Sequence, residues 1–207
     1  MPPYVIKQGD YLTKIAHELA FDPDAVWNDD KNAALRARRP NRDILYPGDI
    51  LEIPDAEPNS AGVQQGTSNE YTAGVPKVKI SVVLEGPEGP LANEPFTIVG
   101  LAETSGTTDG NGEVNVEIPV DVKEFTITLT QQEYAYTILV GHLDPPTEDS
   151  GIRQRLTNLG IYRRASPSED GGALRAAIRE FQRQHSLPIT GIVDDATREA
   201  IVAAHGA

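Results

Sequence analysis

At 207 residues without a cysteine, the chain has room for one large domain or two to three small ones. Disulfide scaffolds, thiolate metal sites and cysteine nucleophiles are excluded. The net charge is −13, and residues 55–142 hold most of it with three Lys/Arg against thirteen Asp/Glu, which argues against nucleic acid and anionic lipid as partners.

Tyr4-Val5-Ile6 reads as a short strand, followed by a turn at Gln8-Gly9-Asp10. Leu12, Ile15, Ala16 and Leu19 then recur at helical spacing, with Asp10 placed to cap that helix. Asp22-Pro23 announces a second helix, a capping carboxylate ahead of a proline at the first helical position, and Val26 and Trp27 supply its apolar face. A polar stretch with Arg36, Arg38, Arg39 and Arg42 follows, and a solvated face is the expectation for these arginines. Pro47-Gly48-Asp49 turns the chain into a returning strand, Ile50 to Ile53, free to pair antiparallel with the first.

Tyr4 to Ala16, closing with Tyr46 to Pro54, resembles a LysM domain. The resemblance implies a βααβ module that binds N-acetylglucosamine polymers in a shallow groove. It places Gly9, Asp10, Tyr11 and Leu12 on one side of that groove and Asp43, Ile44 and Leu45 on the other. LysM domains usually carry Thr or Ser where this chain has Tyr11. The longer Arg-rich insertion and the order of modules resemble proteins of contractile injection systems, such as type VI secretion clusters or phage-like tails.

Residues 55–75 are low in hydrophobic content and rich in Pro, Gly, Ser, Asn and Gln, so a flexible linker is expected there. From residue 76 to 142 short β-branched runs follow one another: 78–84, 96–99, 113–118, 125–129 and 134–140. Strict alternation in 113–118 and 125–129 puts one face inward and one in water. Thr108-Asp109-Gly110-Asn111-Gly112 is hairpin turn chemistry. The pattern argues a small β-sandwich, and the Thr-Asp-Gly-Asn-Gly turn resembles the prealbumin-like or carboxypeptidase-regulatory family.

Residues 143–207 carry three helical stripes: Ile152, Leu156 and Leu159 ahead of Gly160; Leu174, Ile178, Phe181 and His185 ahead of Pro188; Ala196, Ala200, Ile201 and Ala204 between Asp194 or Asp195 and Gly206. Phe181 and Leu187 read as core, and His185 as a packed histidine. Ile152 to Gly160, Ala177 to Leu187 and Thr190 to Thr197 resemble the three-helix peptidoglycan-binding domain appended to cell-wall hydrolases. The expected fold class is therefore multi-domain α+β: LysM module (1–54), linker (55–75), β-sandwich (76–142) and three-helix bundle (143–207).

No constellation in the sequence carries wall-cleaving chemistry. His17, His142, His185 and His205 are scattered, and neither His-Glu-x-x-His nor Gly-x-Ser-x-Gly occurs. We expect no catalytic residue, no metal and no cofactor. No run approaches the roughly 20 apolar residues of a membrane span, and the N-terminus lacks the features of a Sec signal. The expectation is a glycan-binding protein made in the cytoplasm without a Sec signal, which acts at the cell envelope or periplasm or is exported by a dedicated secretion machine. The alternative is an adaptor of an injection apparatus that contacts a secretion or tail protein.

Overall fold

The computed structural model describes residues 3–54, 65–66, 68, 74–86, 89–102, 105–131, 134–162 and 170–206. Most of the segment expected as a linker, and residues 163–169, lie outside them. Six α-helices and several small sheets make up the described chain. It divides into two compact units: Met1–Asp43 with Pro47–His142, and Ile44–Tyr46 with Leu143–Ala207.

In the first unit, β1 (Tyr4–Val5) pairs antiparallel with β2 (Ile50–Leu51). Between them run α1 (Leu12–Leu19), α2 (Pro23–Asn28), a 3-10 turn (Asp30–Asn32) and α3 (Ala33–Arg38). Asp22 caps α2 as its sequence suggests, accepting from the amides of Asp24 and Ala25. The third helix is not visible in the hydrophobic pattern, because only Leu35 faces inward from it. Asn32 anchors this corner: buried, it donates to the carbonyls of Val26 and Glu52 and accepts from the Glu52 amide. Trp27 is half-buried.

The arginines of the insertion form no uniformly solvated face. Arg39 and Asp49 are each 5% exposed and joined as a two-pronged pair at 2.8 and 3.2 Å. Arg36 donates to the carbonyls of Trp27 and Asp29, and Arg42 pairs with Asp24. Only Arg38 stands largely in solvent. A planar guanidinium that satisfies carbonyls and carboxylates of its own module is a fastener.

The same unit contains β3 (Lys77–Val83), β4 (Glu85–Gly86), β5 (Gly89–Pro90), β6 (Pro95–Val99), β7 (Ser105–Thr107), β8 (Glu113–Pro119), β9 (Glu124–Leu129) and β10 (Ala135–Leu139). One antiparallel sheet has the order β10-β9-β6-β7; β3 pairs with β8, and β4 with β5. Val114, Val116 and Ile118 of β8 share a core with Phe96 and Ile98 of β6 and Phe125, Ile127 and Leu129 of β9. Fully burying each such side chain is worth about 1.5–3 kcal/mol. The turn at 108–112 closes no hairpin: β7 pairs with β6 and β8 with β3, so the turn carries the chain from one sheet to the other. Asp109 shapes it by accepting from the amides of Asn111 and Glu113, which lowers its pKa.

In the second unit, α4 (Asp149–Asn158), α5 (Asp170–Gln184) and α6 (Asp195–His205) surround Ile152, Leu156, Tyr162, Ala177, Ile178, Phe181 and Ile201. Asp194 caps α6 through the Thr197 amide, and Gly206 ends that helix in the left-handed region. Leu187 packs against the core at partial exposure, whereas the His185 ring is exposed and stacks on Phe181 with centroids 4.1 Å apart. Arg155 is fully buried, donating to the carbonyls of Asp144 and Gly151, and burial pushes its guanidinium down to about 10.

Candidate functional site

The β1–α1 loop is the first place where binding residues are expected. Gly9, at φ +84, starts the turn, and the Asp10 amide bonds back to the Lys7 carbonyl. Asp10 is buried and does not cap α1. Its carboxylate accepts from the Tyr4 hydroxyl and the Lys7 amide, both at 2.9 Å, and from Lys14 Nζ at 3.4 Å. Burial first, and then the bond to Asp10, push the Tyr4 phenol up to about 12.

The cap of α1 comes instead from Asp43, thirty residues on in the chain. Its Oδ1 accepts from the Thr13 amide at 2.9 Å and its Oδ2 from the Thr13 hydroxyl at 3.1 Å. The Leu12 amide also reaches the Arg42 carbonyl at 3.4 Å. Asp10 is therefore committed to its own turn, and Asp43 to the helix it caps.

Tyr11 departs furthest from the expected groove. It is 4% exposed and belongs to the hydrophobic core shared by β6, β8 and β9. Its hydroxyl donates to the Val120 carbonyl at 3.0 Å, and burial raises its phenol to about 12. Gly141 makes this approach feasible, since a Cβ there would stand 2.8 Å from the Gly9 carbonyl oxygen and 2.9 Å from Tyr11 Cδ1. Leu12 is fully buried. Ile44 and Leu45 belong to the second unit, Ile44 half-buried and Leu45 buried. Of the seven expected residues only Gly9, Asp43 and Ile44 retain appreciable exposure.

In the second unit the organising residue is Gln182, which is 0% exposed. Its Oε1 accepts from the amides of Thr190 and Gly191 at 3.0 and 2.9 Å. Its Nε2 donates to the Ile192 carbonyl at 2.9 Å and to the hydroxyls of Thr190 and Thr197, both at 3.1 Å. One buried amide thus fixes the whole α5–α6 connection. That connection holds Ile189 and Ile192 in solvent at 58% and 59% exposure. In the sequence Gln182 is one letter of a signature stretch. Its only available signal was polarity one step beyond a core phenylalanine.

Among the described residues no cluster of His, Asp and Glu is arranged to hold a metal ion, and no helix is long and apolar enough to cross a membrane.

Residues 148–201, from the start of α4 into α6, match the family model described as putative peptidoglycan binding domain. No curated protein and no solved structure matches the chain.

Proposed function

We propose that this chain is a non-catalytic binding protein for peptidoglycan or a related N-acetylglucosamine polymer, and that it targets or anchors a partner at the bacterial cell envelope. The observation that carries this reading is the agreement between the family match at 148–201 and the helical core around Phe181. Among the buried polar groups of the second unit, Gln182 and Arg155 are engaged in shaping loops. In this reading the N-terminal βααβ part is a LysM-like module, and a dedicated secretion machine delivers the protein to the envelope. A second weak glycan contact on the same chain would raise effective concentration, and avidity by about 100-fold or more.

Tyr11 and the arginines of the insertion favour a second reading, the adaptor of a contractile injection apparatus. A residue expected at a sugar groove is spent on packing within the protein, and Arg39, Arg36 and Arg42 fasten the module internally. Such a module suits a rigid structural part.

Co-sedimentation with purified sacculi separates the two. Retention of the full chain in the pellet is expected, with no loss of sacculus turbidity over hours. Protein left in the supernatant, with no response to chitin oligomers, would leave the adaptor reading standing. Falling turbidity would overturn the non-catalytic assignment.

A further inference from the structure

Six arginines of the second unit are described, and four of them have work inside it. Arg155 is buried on carbonyls, Arg153 is engaged, Arg183 pairs with Glu180, and Arg198 pairs with Asp195 and reaches the Pro146 carbonyl. Arg175 and Arg179 differ. Both are exposed, they lie four residues apart on α5, and no hydrogen bond or ion pair joins either guanidinium to a described residue. Like charges at this spacing repel, so the pair weakens the helix that carries it.

Both side chains are laid over the α5–α6 connection at Gly191. A Cβ on that residue would stand 2.9 Å from Arg175 Cγ, 2.9 Å from Arg179 Nε and 3.1 Å from Arg179 Cγ. Gly191 sits at φ +71, where an L side chain is strained, so glycine is required here on two grounds. The Gly191 amide is tied to Gln182 Oε1, and Ile189 and Ile192 flank the same turn in solvent. Two guanidinium forks with no partner among the described residues thus meet a fixed turn with two exposed aliphatic side chains. The turn backbone is held in place before any ligand arrives, so the freedom lost on binding is that of the exposed side chains.

We propose that Arg175, Arg179 and the Ile189–Ile192 turn bind the peptide stems of peptidoglycan, the arginines on stem carboxylates and the isoleucines on alanyl methyl groups. The proposal rests on the peptidoglycan reading above and gives it a site. Charge complementarity selects the occupant: in a chain of net charge −13, a cationic pair with no partner among the described residues, beside apolar side chains, fits a short acidic, alanine-containing peptide better than a neutral sugar strand.

The full chain is titrated against intact sacculi and against sacculi whose stems have been removed by an amidase. R175A/R179A should lose about tenfold in affinity for intact sacculi, the worth of roughly 1.4 kcal/mol of charge-assisted bonding. I189S/I192S should lose about threefold, and R183A, whose guanidinium is already held by Glu180, should bind as wild type. Wild type should bind stripped strands about as weakly as the double arginine variant binds intact ones. Unchanged thermal midpoints for these exposed substitutions establish that the fold survives, and R175K/R179K, which keeps charge but not the fork, should lose only part of the affinity. The site is wrong if R175A/R179A binds like wild type, or if R183A loses as much. The stem assignment is wrong if wild type binds stripped and intact sacculi equally. Wild type ignoring intact sacculi overturns the peptidoglycan reading itself, and this proposal with it.

Discussion

Tyr11 offers the sharpest test of how the first unit is built. Its ring lies in the core shared by β6, β8 and β9 at 4% exposure and its hydroxyl is bonded to the Val120 carbonyl at 3.0 Å. Tyr11→Phe keeps the ring and removes one bond, leaving a buried carbonyl without its donor, which costs about 1–2 kcal/mol. Tyr11→Ala also removes the ring and should cost about 3–5 kcal/mol. Because the phenol belongs to the same compact unit as β9 and α1, the melting midpoint of that unit should fall by about 2–4 °C per kcal/mol. The pH dependence supplies a second signature. Burial lifts the phenol from its ordinary value near 10 to about 12, so the folded state holds this proton more tightly than the unfolded chain does. The resulting stability is complete below pH 10 and is lost as pH climbs toward 12, on the order of 2 kcal/mol across the window. Urea unfolding of wild type and Tyr11→Phe at pH 7 to 11 measures both effects, with the wild-type advantage shrinking above pH 10. A phenylalanine variant within 0.3 kcal/mol of wild type at pH 7, on the scale of ordinary surface substitutions, would refute the buried hydroxyl bond to Val120, and an alanine variant equally mild would refute the placement of the ring in the core.

Two further outcomes follow from groups whose partners are equally well defined. Asp49→Asn leaves the Arg39 guanidinium buried without its counter-charge, and should destabilise the first unit by about 3–5 kcal/mol in denaturant titration. Gln182→Ala strips the amides of Thr190 and Gly191 of their acceptor and should cost at least about 2 kcal/mol. Hydrogen exchange should locate that loss first at residues 190 and 191, and sacculus retention should fall with it because the Ile189–Ile192 turn is no longer fixed.

Elements whose signal is local and periodic were legible in the sequence. Leu12, Ile15 and Ala16 mark α1, Asp22-Pro23 marks the start of α2, and alternation marks β8 and β9. The three helices of the second unit follow from their stripes and from Asp194 and Gly206. What escaped is set by partners distant in sequence. Helix α3 shows a single inward leucine, so its hydrophobic signal is too thin to separate from a loop. The Asp109 turn has the residues of a hairpin, and only the pairing of β7 with β6 and β8 with β3 reveals a crossover between sheets. Asp10 has the chemistry of a helix cap, yet Tyr4, Lys7 and Lys14 claim its carboxylate while Asp43 arrives from thirty residues away to do the capping.

The arginines show why a binding surface is harder to read than a fold. Composition treats Arg36, Arg39, Arg42, Arg175 and Arg179 alike, as cations on polar stretches. What separates them is whether a carbonyl or carboxylate already occupies the fork, and that depends on tertiary neighbours: Asp49 for Arg39, Asp24 for Arg42, backbone carbonyls for Arg36. A guanidinium so occupied has exchanged its hydration for fixed partners and gains little from a ligand. Arg175 and Arg179 have made no such exchange with a described residue, although each lies against the α5–α6 turn. Both side chains lie against Gly191, Arg179 as far as its Nε, and both residues remain exposed. Binding there gains charge-assisted bonds without breaking any internal one, whereas recruiting Arg39 would first require opening a buried pair at a cost of several kcal/mol. Among these five arginines, then, the two on α5 are the ones from which a carboxylate ligand can draw net binding energy.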